Sequence, residues 1–436
     1  SSTTGNIVMR GQDSTSMGAE YGAGIQINRG ATISSTSGSI TINGRTVATN
    51  TDTTKYHLGV VLGWSGTGTA QITSTTGAIS VTGDASNSAF TKRLGIGFYG
   101  GVISSTASSG SGAISLTSNS TLDAANYDFF TNYENTNAVS STSGSVTLTS
   151  GTSGSASNLT SMTITGGTGV TLDIYKPVIT SLALNGASPK IIESPSGANS
   201  FYTDFSTSGM TVDSSSTSLT IGRSTNSSKV TIAAALQVAG PIAIYAGQYV
   251  QSASLTTTGT SSSTLSVTAT SADLNGTINS VGNVNVTTSG ATSDILAKQN
   301  ITVSGVAASL TLKSQQNIDA TTNAVTLQTN KGPLVLWSDA DGSTDTTNGG
   351  AIWLEAGSKL NSANGNETRS STGGGNITLG GGTAGTTAPT GSSTVRVTTG
   401  NGTCGVQTGL GGSATSLTYF YTGGGKLSIK GSSATS

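Results

Sequence analysis

The feature of this sequence that most constrains its fold is a short repeat, in which similar phrases recur at a nearly constant interval. Three asparagines, each followed by a β-branched residue, are evenly spaced along the chain (300 − 283 = 17 and 317 − 300 = 17). The three pairs are Asn283 with Val284, Asn300 with Ile301, and Asn317 with Ile318. A repeat this short cannot bury its own apolar side chains, so each repeat must stack on its neighbours and share a core with them.

Alternating apolar triplets carry the same interval through the first part of the chain. The differences between their successive starting positions are 15, 20, 19, 17, 18, 16, 16 and 16, and (162 − 25)/8 gives a mean near 17. The triplets begin at Ile25, Ile40, Val60, Ile79, Ile96, Ile114, Phe130, Val146 and Met162. Four phrases, "ISSTSGSITI", "ITSTTGAISV", "ISSTASSGSGAISL" and "VSSTSGSVTL", each give an apolar residue, a Ser/Thr-rich corner with glycine, and a strand.

Composition agrees with a β-protein that has a thin core. Apolar residues make up 33% of the chain, charged residues 8%, and the formal net charge is −1, so the chain lacks the high net charge typical of disorder. We therefore predict an all-β fold, a parallel β-helix (β-solenoid) with short coils of about 17 residues and loop excursions. The inward residues would be those flanking the middle of each triplet, such as Ile40 with Ile42 and Val146 with Leu148.

The recurring asparagine has its own structural explanation. At a turn that repeats once per coil, Asn283, Asn300 and Asn317 would stack and bond the amides above and below, as an Asn ladder. Asparagine also tolerates the left-handed backbone conformation of such turns. The alternative is that asparagine precedes these strands simply because it is a common turn residue.

Interruptions of the repeat predict the domain organisation. Residues 1–172 form a first solenoid part, and 173–216, with three of the six prolines and the phrase "FYTDF", an irregular insertion or transition. Residues 217–356 form a second solenoid part, and the glycine-rich 357–436 form terminal coils with long loops.

Several classes of protein are disfavoured. Cys404 is the only cysteine, so an intrachain disulfide is impossible, and a small residue in a glycine-rich turn is its favoured interpretation. The sequence has no apolar run long enough to span a bilayer, which argues against membrane insertion, and no basic stripe, which argues against nucleic acid as a partner. The chain opens at Ser1 without a charged and apolar leader, which indicates a processed product or an excerpt.

Enzymatic activity is not predicted. The hydrolases and lyases that use this fold need clustered carboxylates, whereas the 19 acidic residues here are spread over the chain. His57 is the only histidine and is expected in an excursion between coils, where a Ser-His-Asp triad would have to recruit it. An ice-binding or crystal-binding face needs a regular Thr-x-Thr array, and the two instances at 147–149 and 163–165 have no regular continuation.

One acidic segment resembles the beginning of a calcium loop. In "DADGSTD", Asp339, Asp341 and Asp345 surround Gly342, so alternate carboxylates could converge on a hard cation. The glutamate expected at the twelfth position is replaced by Gly350, and a solvated acidic turn is the favoured interpretation. Calcium is the only cofactor the sequence suggests. Trp337 and Trp353 are interpreted first as stacked packing residues and second as a carbohydrate platform.

The phrases "LTIGRSTNSSKVTIAAALQVAGPIAIYAG", "GPLVLWSDADGS" and "GGAIWLEAGS" carry a resemblance. They resemble the large secreted β-strand-repeat proteins of Gram-negative bacteria, the filamentous-haemagglutinin-like exoproteins and surface adhesins. The resemblance implies a right-handed parallel β-helix exported to the bacterial cell surface, where it acts as an adhesin or a matrix fibre. The N-terminal secretion module and a C-terminal anchor of that family are not recognisable here.

The expected function is therefore that of a non-enzymatic extracellular surface fibre or adhesin, with a glycan-binding or carbohydrate-active β-helix protein as the alternative. Both ends of the sequence carry strand-forming residues in place of polar caps, Ile7 and Val8 at one end and Tyr419, Phe420 and Tyr421 at the other. These residues predict assembly end to end, either with another copy of this chain or with further coils of a longer polypeptide. Surface glycans are the other candidate partner.

Overall fold

The structure is a computed structural model that describes residues 1–13, 22–47, 56–86, 92–109, 111–120, 127–131, 136–150, 156–192, 203–290, 293–342, 350–365, 367, 372–383, 385–393, 405–410 and 417–432. The described residues are all-β and form no helix. The chain divides into two compact units, unit 1 (Ser1–Ser228) and unit 2 (Lys229–Ser436). Each unit is a parallel β-solenoid, so the predicted fold class is confirmed.

Unit 1 contains twenty-two strands within its described residues. They are β1 (Ile7–Gln12), β2 (Gly22–Ile27), β3 (Thr32–Ser35), β4 (Ile40–Arg45), β5 (His57–Leu62), β6 (Ala70–Ser74), β7 (Ile79–Asp84), β8 (Arg93–Phe98), β9 (Gly101–Ser105), β10 (Ile114–Asn119), β11 (Tyr127–Thr131), β12 (Asn137–Ser141), β13 (Ser145–Ser150), β14 (Ala156–Leu159), β15 (Met162–Gly166), β16 (Gly169–Asp173), β17 (Pro177–Ile179), β18 (Leu182–Gly186), β19 (Pro189–Ile192), β20 (Phe205–Ser206), β21 (Met210–Val212) and β22 (Leu219–Ile221).

Apart from β20, every third strand of unit 1 joins the same sheet, so one coil consists of three strands. Sheet I has the order β1-β4-β7-β10-β13-β16-β19-β22, sheet II the order β17-β14-β11-β8-β5-β2, and sheet III the order β21-β18-β15-β12-β9-β6-β3. The pairings are parallel, as in β1 with β4, β2 with β5 and β3 with β6. The segment 173–216, predicted as an irregular insertion or transition, contains strands β17 to β21.

Unit 2 contains twenty-one strands within its described residues. They are β23 (Val230–Ile232), β24 (Leu236–Val238), β25 (Ile242–Tyr245), β26 (Gln248–Gln251), β27 (Leu255–Thr257), β28 (Leu265–Ala269), β29 (Ser271–Leu274), β30 (Ile278–Ser280), β31 (Val284–Thr288), β32 (Ile295–Ala297), β33 (Ile301–Val306), β34 (Leu310–Ser314), β35 (Ile318–Ala320), β36 (Thr326–Asn330), β37 (Leu334–Trp337), β38 (Ile352–Glu355), β39 (Lys359–Asn361), β40 (Ile377–Gly380), β41 (Val406–Leu410), β42 (Tyr419–Tyr421) and β43 (Leu427–Ile429).

The same three-strand coil builds unit 2. Within the unit, sheet IV has the order β25-β28-β31-β34-β37-β40-β43, sheet V the order β23-β26-β29-β32-β35-β38-β41, and sheet VI the order β24-β27-β30-β33-β36-β39-β42. These pairings are also parallel, as in β31 with β34, β29 with β32 and β30 with β33.

The predicted coil length is too short and therefore wrong. The sequence numbers of successive register partners along sheet I differ by 33, 39, 35, 32, 24 and 19, at Ile7, Ile40, Ile79, Ile114, Val146, Val170 and Pro189. Along sheet IV the corresponding differences are 23, 19, 26, 24, 43 and 50, at Ile242, Leu265, Val284, Leu310, Leu334, Ile377 and Leu427.

The repeat interval measures about half of an early coil because the apolar triplets up to Val146 alternate between sheets I and II. The third strand of each early coil, in sheet III, was not recognised in the sequence because its second inward residue is a serine. In β3, for example, Ile33 is followed by the buried Ser35, and in β6 Ile72 is followed by the buried Ser74. The "ISSTSGSITI" type of phrase is therefore the end of a sheet III strand, a corner, and a sheet I strand.

The core lies inside the coils and is filled by the alternating inward residues. Ile40, Ile42, Val146 and Leu148 are all fully buried, as the triplet pattern predicts. Their register partners in neighbouring coils are apolar as well, so like side chains stack along each sheet. The outward residues between them, such as Thr41, are only half-buried.

Glycines let sheets I and II of unit 1 approach each other closely at the corner between them. Three glycines of sheet I, Gly11, Gly44 and Gly83, share one register position, and each faces a glycine of sheet II. A Cβ atom at Gly83 would overlap the carbonyl oxygen of Gly95. This position therefore requires glycine because two backbones meet there.

Candidate functional site

The three repeat asparagines do not form a ladder. Asn283, Asn300 and Asn317 directly precede β31, β33 and β35, which belong to sheets IV, VI and V. Residues that precede strands of three different sheets cannot stack on one another, so the ladder prediction is wrong. The asparagines precede every second strand of this stretch, which is why their spacing does not match a coil of three strands.

Each asparagine instead joins its coil to the next through a backbone amide. The Oδ1 atoms of Asn283, Asn300 and Asn317 accept hydrogen bonds from the backbone N–H groups of Ser309 (2.9 Å), Thr326 (2.8 Å) and Ala351 (2.9 Å). The same bond joins Asn6 to Ser39 and Asn376 to Lys426, at 2.9 Å each. We call this recurring bond the Asn clip. Its role is structural, because it satisfies a backbone donor at a corner.

Asp339 lies in a buried turn, and the calcium hypothesis stays a prediction. Asp339 has a positive φ of 51°, and its carbonyl oxygen accepts hydrogen bonds from Gly342 and Gly382, both at 3.0 Å. Asp341 is exposed, and Asp345 lies outside the described residues. Among the residues that the structure describes, no group of three or more His, Cys, Asp or Glu side chains could hold a metal ion.

The prediction that His57 lies in an excursion between coils is wrong. His57 is the first residue of β5 and is buried in the core of unit 1. Its ring is fully buried, and its Nδ1 lies 3.7 Å from Oδ2 of Asp13, which is also buried. Thr46 donates a hydrogen bond from its hydroxyl to Asp13, and Val47 donates its N–H at 2.6 Å. Gly22 leaves room for the pair, because a Cβ there would lie 2.7 Å from Nδ1 of His57.

The Asp13 carboxyl titrates below its ordinary range. Burial raises its pKa, but hydrogen bonds from His57, Thr46 and Val47 and the nearby His57 charge together lower the pKa below the usual value. The carboxylate is thus held charged in the core. Because both side chains are buried among the coils, we interpret the pair as part of the core of unit 1.

The two tryptophans singled out in the sequence are packing residues that do not stack on each other. Trp337 lies on sheet IV and is 3% exposed, whereas Trp353 lies on sheet V and is 8% exposed. Both side chains point away from the coil interior, since their neighbours Leu336 and Ile352 are the inward residues aligned with Leu312 and Ile318. Cys404 lies outside the described residues.

The outer face of sheet II in unit 1 carries an apolar cluster. Leu58, Val61 and Leu94 are buried there, although they point away from the coil interior. Partly buried rings and an alanine pack against them, namely Ala23, Tyr56, Trp64, Tyr99, Tyr127 and Phe130. The rings contact one another, as in Trp64 and Tyr99, whose centroids lie 4.6 Å apart. This face is an external extension of the core.

The outer face of sheet IV in unit 2 carries a polar groove, which is our candidate site. The groove has a volume of about 640 Å³. Its floor is made by outward residues of β31, β34, β37 and β40, and its wall by residues after β40. It is lined by Asn283, Asn285, Thr287, Ala307, Ser309, Thr311, Lys313, Pro333, Val335, Trp337, Asn376, Thr378, Thr386, Thr387 and Ala388.

The wall is a segment that we call the arm, residues 385–391; two contacts hold it, and a third holds Gly382, which precedes it. Its base is fixed by a bridge between Gly381 and Gly391. The indole Nε1 of Trp337 donates a hydrogen bond to the carbonyl of Gly382 (2.9 Å), and the Lys430 ammonium donates one to the carbonyl of Thr390 (2.7 Å). Trp337, which is 3% exposed, thus contacts Gly382 through its indole N–H and Lys313 through its ring.

A second groove of about 420 Å³ adjoins the first on the outer face of sheet IV. It shares five lining residues with the first, namely Asn376, Thr378, Thr386, Thr387 and Ala388. The two grooves therefore form one channel along sheet IV, which we call the sheet IV channel. The second groove adds Gly385, Pro389, Thr390, Lys426, Ser428 and Lys430.

The channel is polar and positively charged. Its described lining residues include three lysines, Lys313, Lys426 and Lys430, and no aspartate or glutamate. The Lys313 ammonium lies 4.0 Å from the centroid of the Trp337 ring, a cation–π contact. Without a carboxylate among these residues, the channel offers hydrogen bonds and positive charge but no carboxylate acid and base for glycoside chemistry.

Sequence reasoning missed this channel. Its floor is assembled from strands that are far apart in sequence, so the correct coil register is needed to bring them together. The sequence feature that could have indicated the channel is the polar middle residue of the triplets "VNV", "LTL" and "ITL". The glycines after β40, which were attributed to long loops, build the arm.

The residues predicted to mediate assembly lie on the first and the last described coils. On β1, Val8 points outward and is 57% exposed. On β42, Tyr419 is 38% exposed, and its ring stacks with that of Tyr421 at a centroid distance of 6.1 Å. Leu427 and Ile429 of β43 occupy inward positions, and each is 44% exposed.

Comparisons with known proteins assign no family to the chain. Within the described part of the chain, no helix has the length and apolar character needed to span a bilayer. The resemblance to secreted strand-repeat proteins rests on the sequence phrases and the shared style of repeat. No protein-family model, no curated protein and no solved structure matches this sequence.

Proposed function

We propose that this chain is a non-enzymatic, extracellular structural protein, a β-solenoid that forms or belongs to a bacterial surface fibre or adhesin. The observation that carries the proposal is the coil itself. In each unit, backbone ladders join every coil to its neighbours, inward apolar residues stack, and most outward residues of sheets I and IV are polar. Such a repeat extends by addition of coils and needs no separate core for each one.

Assembly end to end is part of the proposal. Leu427 and Ile429 occupy the inward positions that Ile377 and Leu379 fill when fully buried one coil earlier. An additional coil placed on β43 would bury them and would pair the outer edge of that strand. We propose that this coil comes from another copy of the chain or from a longer polypeptide of which the chain is a part.

A second candidate function, glycan binding, is supported by the sheet IV channel. Hydroxyl and amide side chains such as Asn285, Thr311 and Thr378 line an open groove on a rigid sheet. Sugars present many hydroxyl groups, and side chains of this kind both donate and accept hydrogen bonds. An adhesin would use such a channel as its recognition surface.

Electron microscopy of the purified chain tests the assembly. The wild type is expected to form fibres, and the double substitution Ile7→Lys with Val8→Lys is expected to stop growth at one end, because two charges would lie at the open strand. Val306→Lys is the matched control, since Val306 is 70% exposed on a strand away from either end. Full-length fibres from the double variant, or discrete monomers of the wild type, would refute end-to-end assembly.

A further inference from the structure

We propose that the sheet IV channel binds an extended acidic polysaccharide, one whose sugars carry carboxylate groups. This inference deepens the second candidate function and rests on it. It does not depend on fibre formation. It concerns residues of unit 2 alone.

The shape of the channel favours an extended polymer. The floor is formed by outward residues of β31, β34, β37, β40 and β43, five neighbouring strands of one sheet. Adjacent strands lie about 4.8 Å apart, so four spacings give a channel of roughly 19 Å. Residues of the arm line both grooves and leave both open, whereas a pocket for a compact small molecule encloses most of the ligand surface.

The floor also repeats its hydrogen-bonding groups from coil to coil. One row across the sheet consists of register partners on five successive strands, namely Asn285, Thr311, Val335, Thr378 and Ser428. Thr386 and Thr387 are exposed on the arm and face the same space. Of the apolar lining residues below the arm, Val335 and Trp337 are buried, whereas Ala307 and Pro333 are exposed. A repeated set of polar groups suits a repeating polar chain better than an apolar peptide helix.

The charge of the lining residues favours an acidic polysaccharide over a neutral one. Three lysines and no carboxylates occur among the described lining residues, whereas the whole chain has 18 basic and 19 acidic residues. The described lining therefore has a local excess of three positive charges, whereas the formal net charge of the whole chain is −1. An acidic polymer would be attracted to it, and salt would weaken that attraction.

Single-stranded nucleic acid is the other acidic polymer to consider, and the channel fits it less well. Proteins that bind single strands stack bases on exposed aromatic rings. The only aromatic ring among the described lining residues belongs to Trp337, which is 3% exposed and contacts Lys313 and Gly382. The channel thus lacks a stacking surface but keeps the groups that bind hydroxyls and carboxylates.

The test measures binding of the full chain to polygalacturonate, neutral dextran and single-stranded DNA by isothermal titration calorimetry at low and high salt. We expect binding to polygalacturonate that falls as salt rises, and no binding to dextran. Lys426→Gln and Lys313→Gln should each weaken binding several-fold, and Thr378→Trp should abolish it by filling the floor. Circular dichroism verifies that each variant retains the fold.

The matched control is Lys359→Gln, which makes the same change in charge on sheet VI, where Lys359 pairs with Glu367 at 2.7 Å. It should bind as the wild type does. The inference is refuted if polygalacturonate does not bind, if dextran or DNA binds equally well, or if Lys359→Gln weakens binding as much as Lys426→Gln. Fibres without polysaccharide binding would refute this inference alone, and binding without fibres would refute only the assembly.

Discussion

Unit 1 and unit 2 are built from the same three-strand coil but differ in what covers its outside. On sheet II of unit 1, outward leucine and valine side chains are buried under aromatic rings. On sheet IV of unit 2, the outward side chains are mainly hydroxyls, amides and lysines beside an arm that leaves a channel open. The coil therefore does not determine the use of a face. The chemistry of the outward residues decides whether that face packs or binds.

The inner corners of the coils are filled in two ways, and both ways occur in both units. In unit 1, Gly83 and Gly95 bring two backbones into contact. In unit 2, buried hydroxyls occupy corner positions and bond one another across coils, as Thr257 does with Ser280 at 2.9 Å. A backbone contact tolerates no added atom, whereas a hydroxyl pair leaves space for small changes.

The largest effect is expected from Gly83→Ala. The added methyl group overlaps a backbone oxygen that cannot move without breaking the ladder, so we expect a loss of about 3 kcal/mol or more in unfolding free energy. Urea unfolding followed by tryptophan fluorescence measures it. Gly169→Ala is the control, since its nearest neighbour would be the Ser188 oxygen at 3.5 Å. Equal midpoints for both variants would refute the corner argument.

The outer faces are compared by Leu94→Ala in unit 1 and Thr311→Ala in unit 2. Leu94 is fully buried, so its truncation should cost about 2–4 kcal/mol, as in an inner core. Thr311 is half-buried and outward, and its truncation should change stability by less than about 0.5 kcal/mol. Thermal unfolding of both variants provides the measurement. Similar losses at the two sites would mean that the faces do not differ as described.

An Asn clip should matter most where the donor is buried. Asn317→Ala leaves the N–H of the buried Ala351 without its acceptor, so we expect a loss of about 1–3 kcal/mol. Asn376→Ala frees the N–H of the exposed Lys426, which water can satisfy, and should cost less than about 1 kcal/mol. Chemical denaturation of the two variants tests this order, and the reverse order would contradict it.

The smallest effect concerns acid stability of unit 1. The folded-state pKa of Asp13 is lowered, so its contribution to stability is present above the unfolded-state pKa and is lost as pH falls through the folded-state pKa. The loss is expected below about pH 4, near the ordinary value for aspartate. Urea unfolding followed by tryptophan fluorescence at several acidic pH values measures this loss of stability. Asp13→Asn should flatten this part of the profile, and an unchanged slope would remove Asp13 as its source.

The sequence predicted the fold class because its apolar triplets have the period of strands. It did not predict the coil, because β3, β6 and their equivalents pair one isoleucine with a buried serine and so do not appear as apolar strands. The error in coil length carried into the Asn ladder. The channel was missed for a related reason, since its parts meet only when the two longest coils of sheet IV are in register.

Coil length and strand register are independent of each other in this protein. Register partners in sheet IV remain aligned in short coils, as Leu265 does with Val284, and in long ones, as Ile377 does with Leu427. Because loop-closure entropy rises only slowly with length, a corner can gain a long insertion at small thermodynamic expense. The solenoid can therefore serve as a display scaffold, into which evolution or a protein engineer introduces a new segment at one corner while the ladders on either side remain unchanged.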